Sequence, residues 1–256
     1  MIKIVFGFVF ILLLIGCGNP GVDRSDALVV IDAGHGGHDS GAVCAGKCEK
    51  DIVLQIASKV AKIFKNKGYQ VYLTRGSDHF LTLGERTRIA DRKNADLFIS
   101  IHANAIADRN RFEAVEGVET YFLQKTRDAR SQRIAAKENA AVLQGTDSLS
   151  KNVIIDSVLN GPKIIESNKL AIDVQRHIMK SLRQEYADTK NGGAKPAPFY
   201  VLVGASRPSI LVEVGYITNT KERHRLFSSE YQKRIAEGIV KGAGHYLDNR
   251  KREMGF

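Results

Sequence analysis

Among the chain's 256 residues are seven histidines, and two of them stand apart. His35 follows the apolar run 28–31 inside Asp32-Ala33-Gly34-His35-Gly36-Gly37, and His102 closes the run 96–101. An imidazole at the end of a buried strand is costly unless something satisfies it. The glycines around His35 let the backbone approach a ligand closely. His38, His79, His177, His224 and His245 lie on loops or polar helix faces, where solvation or capping accounts for them. One strand-end histidine is more often hydrogen-bonded than metal-bound. Two on neighbouring strands, with Glu49 opening the helix between, move the balance toward a metal. Two imidazoles and one carboxylate form a recurrent zinc shell that leaves a fourth position for water, so one Zn2+ per chain is expected. A dication in that shell acidifies water toward a pKa of about 7 and polarises a carbonyl oxygen. Glu213, near the end of the apolar run 209–214, adds a carboxyl that can serve as general base and then acid. The competing reading pairs Glu213 with Arg75 or Arg86 in a buried network.

Strands must carry these residues. Residues 28–31, 69–73, 96–101, 118–123, 200–203 and 209–214 read as short strands. Between them, residues 49–67 place Ile52, Ile56, Val60 and Ile63 or Phe64 at helical spacing before Gly68. A second helix spans about 82–94, and a last one over 229–247 aligns Tyr231, Ile235, Ile239, Ala243 and Tyr246. The alternation predicts one α/β domain over 28–250, with a mostly parallel open sheet of about six strands and helices on both faces. Ligands in such sheets gather beyond the carboxyl ends of the strands, where His35, His102 and Glu213 fall.

Composition narrows the setting. Hydrophobic residues make up 43% and charged ones 26%, the balance of a globular chain rather than a disordered one. The net charge of +10 suits anionic surroundings. No basic stripe interleaved with aromatics appears, which argues against nucleic acid. A single long apolar run excludes a polytopic membrane protein: residues 4–15, after Met1-Ile2-Lys3. It reads as a secretory signal over 1–16, too short to span a bilayer comfortably. Leu14-Ile15-Gly16-Cys17 resembles the lipobox of bacterial lipoproteins, which implies lipidation at Cys17 and a tether over 17–27. Gly18 in place of aspartate implies the outer membrane, and hence a periplasmic, lipid-anchored protein. The competing reading is an ordinary signal with a chance cysteine. Export puts Cys44 and Cys48 in an oxidising space, where a disulfide between them is the expectation. A zinc clip would need a second cysteine pair.

Six colinear segments then resemble one family, the zinc-dependent N-acetylmuramoyl-L-alanine amidases of amidase type 3. They are IDAGHGGHDSGA (31–42) with Glu49-Lys50, LTR (73–75), LGERTRIAD (83–91), ADLFISIHANA (95–105), GVETYFL (117–123) and PSILVEVGYITN (208–219). The likeness runs from about residue 28 to 247. It implies His35, Glu49 and His102 as zinc ligands and Glu213 as the catalytic glutamate. The implied reaction cuts the amide between N-acetylmuramic acid and L-alanine in peptidoglycan, for wall remodelling and daughter-cell separation. Residues 124–166 form a helical insertion: 130–143 read as one helix, Ile154/Val158 and Ile155/Leu159 make apolar pairs on another, and Gly161-Pro162 starts a third. Relatives from Gram-negative cell division carry a helix here that plugs the zinc site until an activator displaces it. That likeness makes part of 140–166 a candidate gate, with Glu138, Asp156 or Glu166 as the plug. The alternative packs those apolar residues on the sheet. Two other functions stay open. An inactive wall-binding division lipoprotein is disfavoured because all four site residues are present. A different zinc hydrolase is disfavoured, for peptidases, by the absence of HExxH.

Overall fold

The computed structural model describes residues 26–140 and 162–255. The signal segment, Cys17, most of the tether, Asp156 and the apolar pairs of 154–159 lie outside the described residues. The first stretch runs β1 (Leu28–Ala33), a small hairpin of β2 (Val43–Cys44) and β3 (Lys47–Cys48), α1 (Glu49–Asn66), β4 (Gln70–Leu73), α2 (Leu83–Arg92), β5 (Leu97–Asn104), β6 (Val118–Leu123) and α3 (Ala129–Asn139). The second holds α4 (Pro162–Leu182), β7 (Asn191–Ala197), α5 (Tyr200–Val203), β8 (Ser209–Tyr216), α6 (Thr220–Leu226) and α7 (Ser229–Glu253).

Six strands form one sheet in the order β4-β1-β5-β8-β6-β7. Every neighbouring pair is parallel except β6 with β8. The central strands β1, β5 and β8 are nearly continuous apolar runs because both faces are covered. Helices α1, α4 and α7 close one face around Ile56, Val174 and Ile239. On the other face α2, α3 and α5 pack Ala90, Ile134 and Leu202 against Phe98 and Tyr121. No helix among the described residues is long and apolar enough to cross a membrane.

The expected architecture stands, with two local corrections. Residues 200–203 are a helical turn, not a strand. The Asn139 side chain accepts the Tyr200 N–H at 2.8 Å, satisfying a donor that a strand would have paired in a ladder. The edge position belongs instead to β7, whose Asn-Gly-Gly-Ala-Lys-Pro-Ala sequence has no apolar run to announce it. An edge strand tolerates its proline and glycines because only one side must pair. Helix α6 also escaped the sequence reading; Asn219 caps it by accepting the Glu222 N–H at 3.0 Å.

The two cysteines between β1 and α1 are not joined in the structure. Cys44 and Cys48 are free. The hairpin pairs Cys44 with Lys47 and Cys48 with Val43, so the two thiols fall on opposite faces of the ribbon. The register therefore separates the pair that sequence spacing joined.

Candidate metal centre

Four elements converge beyond the carboxyl ends of the central strands. The loop after β1 supplies His35, the first turn of α1 supplies Glu49, β5 supplies His102, and the end of α3 supplies Glu138. His35 Nε2 lies 3.1 Å from Glu49 Oε1 and 3.2 Å from Glu138 Oε2. His102 Nδ1 lies 3.2 Å and 3.1 Å from the same two oxygens. All four ligand atoms lie within 4.8 Å of one another, close enough for one central ion to touch them together. His35 Nε2 and Glu138 Oε2 are buried without a hydrogen-bond partner although charge partners are at hand. Donors aimed at a common centre rather than at one another give that pattern. The nitrogen and oxygen set suits zinc's borderline softness. Asp39 Oδ2 holds His35 Nδ1 at 2.9 Å, orienting the ring as carboxylates do behind metal-bound histidines.

The electrostatics agree. Burial disfavours a charged imidazole, yet Glu49 raises His35 well above its ordinary value, with Asp39 and Glu138 assisting. Burial likewise opposes protonation of His102, but the adjacent carboxylates of Glu138 and Glu49 push it up to about 9. The two carboxylates thus demand positive charge at the point where they meet.

Two buried arginines build the loop that presents His35. Arg86 donates to Asp32 Oδ1 at 2.9 Å, to the Ala33 carbonyl at 2.6 Å and to the His35 carbonyl at 2.8 Å. Arg75 donates to the carbonyls of Ala33 at 2.9 Å and Gly34 at 2.7 Å. These bonds hold His35 at φ 58, a left-handed conformation that few non-glycine residues adopt. Gly34 is required beside it, because a Cβ there would come within 2.4 Å of the His102 ring. Asp32, fully buried, also accepts from Thr74 at 2.6 Å and Ser100 at 2.7 Å. Arg86→Met strands that carboxylate, so urea denaturation should report a loss of about 3–5 kcal/mol. Burial alone would raise Asp32, but Arg86 and the hydroxyls hold it below its ordinary 3.8. The stabilisation is therefore present above pH 3.8 and is lost as pH falls through the lower folded value; acid titration of the melt should place its share there.

Glu213 lies on β8 opposite His102 of β5 on one side and Glu119 of β6 on the other. The two glutamates are both fully buried but differ in every other respect. Glu119 accepts from Tyr121 and Tyr216 hydroxyls at 3.0 and 3.1 Å and pairs with Lys195 at 3.0 Å and Arg130 at 3.1 Å. Neither oxygen of Glu213 has a hydrogen-bond partner. Burial, and then the nearby Glu138, raises its pKa well above the ordinary value. Arg75 and Arg86 are committed to the His35 loop, so the buried pairing considered for Glu213 is not what the structure contains.

The candidate plugs part ways. Glu138 reaches the cluster, with Lys137 Nζ 3.0 Å from its other oxygen. Glu166 does not: it accepts from the Tyr246 hydroxyl at 2.6 Å and pairs with Lys169 at 3.1 Å on the α4–α7 side. Asp156 lies outside the described residues. Sequence reasoning missed Asp39, although it follows His35 by only four residues, and missed the arginine clamp and the cations around Glu119, whose partners lie far away in sequence and left no periodic signal.

An open, largely parallel sheet with a two-histidine, two-carboxylate centre at its strand ends, and an unpartnered acid one strand across, is a metallohydrolase arrangement. Residues 29–245 match the sequence profile of the family described as N-acetylmuramoyl-L-alanine amidase, and the chain belongs to that family. It is 32% identical over 245 residues to N-acetylmuramoyl-L-alanine amidase AmiA of Escherichia coli, covering 92% of this chain and 83% of that one. The amidase AmiC2 of Nostoc punctiforme superposes with a TM-score of 0.62 at 37% identity, over 87% of this chain and 97% of that structure. The CwlD amidase of Clostridioides difficile, solved in complex with the GerS lipoprotein, superposes with a TM-score of 0.64 at 27% identity, over 88% and 100%.

Proposed function

We propose that this amidase holds one Zn2+ through His35, Glu49 and His102 and hydrolyses the bond between the lactyl group of N-acetylmuramic acid and L-alanine in peptidoglycan. The observation carrying the reading is the convergence of His35, Glu49, His102 and Glu138 beside a buried, unpartnered Glu213. When bound, zinc supplies Lewis acidity to the carbonyl and a lowered pKa to water. Glu49 is fixed for its part by the N–H groups of Ala42 and Ala103, each at 2.9 Å. Glu213 takes a proton from the attacking water and returns it to the departing amine nitrogen, a role open to it because no other group engages its oxygens. The lipobox-like sequence supports a lipid anchor at Cys17 and a periplasmic site at the outer membrane. The division-amidase likeness supports a place in wall remodelling and daughter-cell separation.

Glu138 Oε2, 3.2 Å from His35 Nε2 and 3.1 Å from His102 Nδ1, would fill the fourth ligand position that water or substrate needs. In this reading the chain is self-inhibited, and a partner protein activates it by drawing that carboxylate away; the CwlD–GerS complex supports a protein partner. Glu138→Ala should raise turnover without any partner by about tenfold or more, since one charge-assisted contact is worth roughly 1.5–3 kcal/mol. Unchanged or lower turnover, with zinc retained, removes Glu138 from the gate. The reading as a whole is tested by metal analysis joined to mass spectrometry of digested sacculi. It requires stoichiometric zinc and stem peptides with a new L-alanine amino terminus. Acetate release, or termini elsewhere in the stem, would assign a different hydrolase.

A further inference from the structure

A groove of about 410 Å3 opens directly beside the cluster, between the β5–β6 connection and α3. It shares Lys137 with the metal centre, whose Nζ is 3.9 Å from Glu49 Oε2, and Tyr216, three residues beyond Glu213. Its walls carry four cations, Arg111, Arg130, Arg133 and Lys137, against the single acid Asp108. Two of the cations are engaged: Arg130 with Glu119 at 3.1 Å, and Lys137 with Glu138 at 3.0 Å. Arg133 donates only to its own helix, at the Ala129 carbonyl, and Arg111 has no acidic partner among the described residues. Asp108 pairs with none of them; it caps the turn at Arg109–Ala114 by accepting the Asn110 N–H at 3.1 Å. The groove therefore holds two uncommitted guanidiniums lining one channel that adjoins the cluster through Lys137. Arg130 pins the start of α3 to Glu119 and to the Tyr216 hydroxyl, so this wall is anchored at the end of the helix opposite Glu138.

We infer that this groove is a subsite for carboxylate-bearing stem peptides, with Arg111 and Arg133 binding the free carboxylate of the residue that follows L-alanine. The inference rests on the amidase reading above and deepens it from a bond to a preferred substrate. Planar guanidiniums match a carboxylate with two parallel N–H bonds, and an amide in its place presents N–H to N–H. The chain then discriminates between stems whose second residue is isoglutamate and those whose second residue is isoglutamine.

Paired disaccharide-peptides differing only in that group test the inference, assayed with the chain itself and with Glu138→Ala. The free carboxylate should be favoured by about tenfold in kcat/KM, the size of one charge-assisted hydrogen bond at a partly exposed site. The preference should appear in KM and shrink as salt rises, because the groove is open to solvent. The double variant Arg111→Gln/Arg133→Gln should cleave both substrates alike. Equal cleavage by the unaltered chain, or a preference that survives the double substitution, overturns the subsite and leaves the amidase reading intact. Cleavage of neither substrate by either form overturns the amidase reading and the subsite with it.

Discussion

Glu213→Gln should leave a folded chain that binds as much zinc as the unaltered one yet cuts peptidoglycan about 100- to 10,000-fold more slowly, the usual contribution of a positioned acid–base group. The substitution isolates chemistry from structure because nothing in the fold uses the carboxylate. Both of its oxygens lack hydrogen-bond partners, so an amide of the same shape forfeits no contact. Burial and the neighbouring carboxylates already resist ionisation there, so removing the charge should preserve or raise stability. A dication in the cluster would oppose those carboxylates and favour the ionised form of Glu213, an effect that glutamine cannot reproduce. Denaturant melts, zinc stoichiometry and release of stem peptides from sacculi measure the three quantities separately. Near-native turnover would remove Glu213 from the proton relay, whereas lost folding would contradict its description as unengaged.

His35→Ala has the second large effect and a different signature, in which metal and activity disappear together. One of three proposed ligands goes, and with it the centre that stabilises charge on the carbonyl. A Lewis acid is worth several kcal/mol, so cleavage should fall on the order of a thousandfold or more. The loop itself should survive, because Arg75 and Arg86 bind the carbonyls of residues 33–35 rather than the imidazole. Metal analysis of the purified variant, set beside chelator-treated unaltered chain, gives the comparison. If the alanine variant retains stoichiometric zinc, the ligand set is wrong.

The sheet was readable because its strands are apolar runs and its helices keep their spacing. His35, Glu49, His102 and Glu213 could be singled out because a polar residue at the end of such a run needs a reason to be there. β7 was not readable, since an edge strand of glycine, lysine and proline carries neither pattern. Nor was the division of labour between Glu119 and Glu213. In sequence each is a lone acid in an apolar strand; only Tyr121, Tyr216, Lys195 and Arg130 gathered around one of them tell the two apart. Choosing between Glu138 and Glu166 required knowing how α3 and α4 dock, which no local spacing encodes. The register of Cys44 and Cys48 was hidden for a related reason: proximity in sequence does not fix which face of a ribbon a thiol occupies.

The arginine clamp on residues 33–35 has one further consequence. Small zinc domains fall apart when their ion is taken, because the ion is their folding energy. In this chain the proposed cradle is held by the protein scaffold, so a molecule stripped of its ion should stay folded and regain activity when the ion is returned. Metal supply would then act as a reversible dial on wall cutting, with no new synthesis needed to turn it back up.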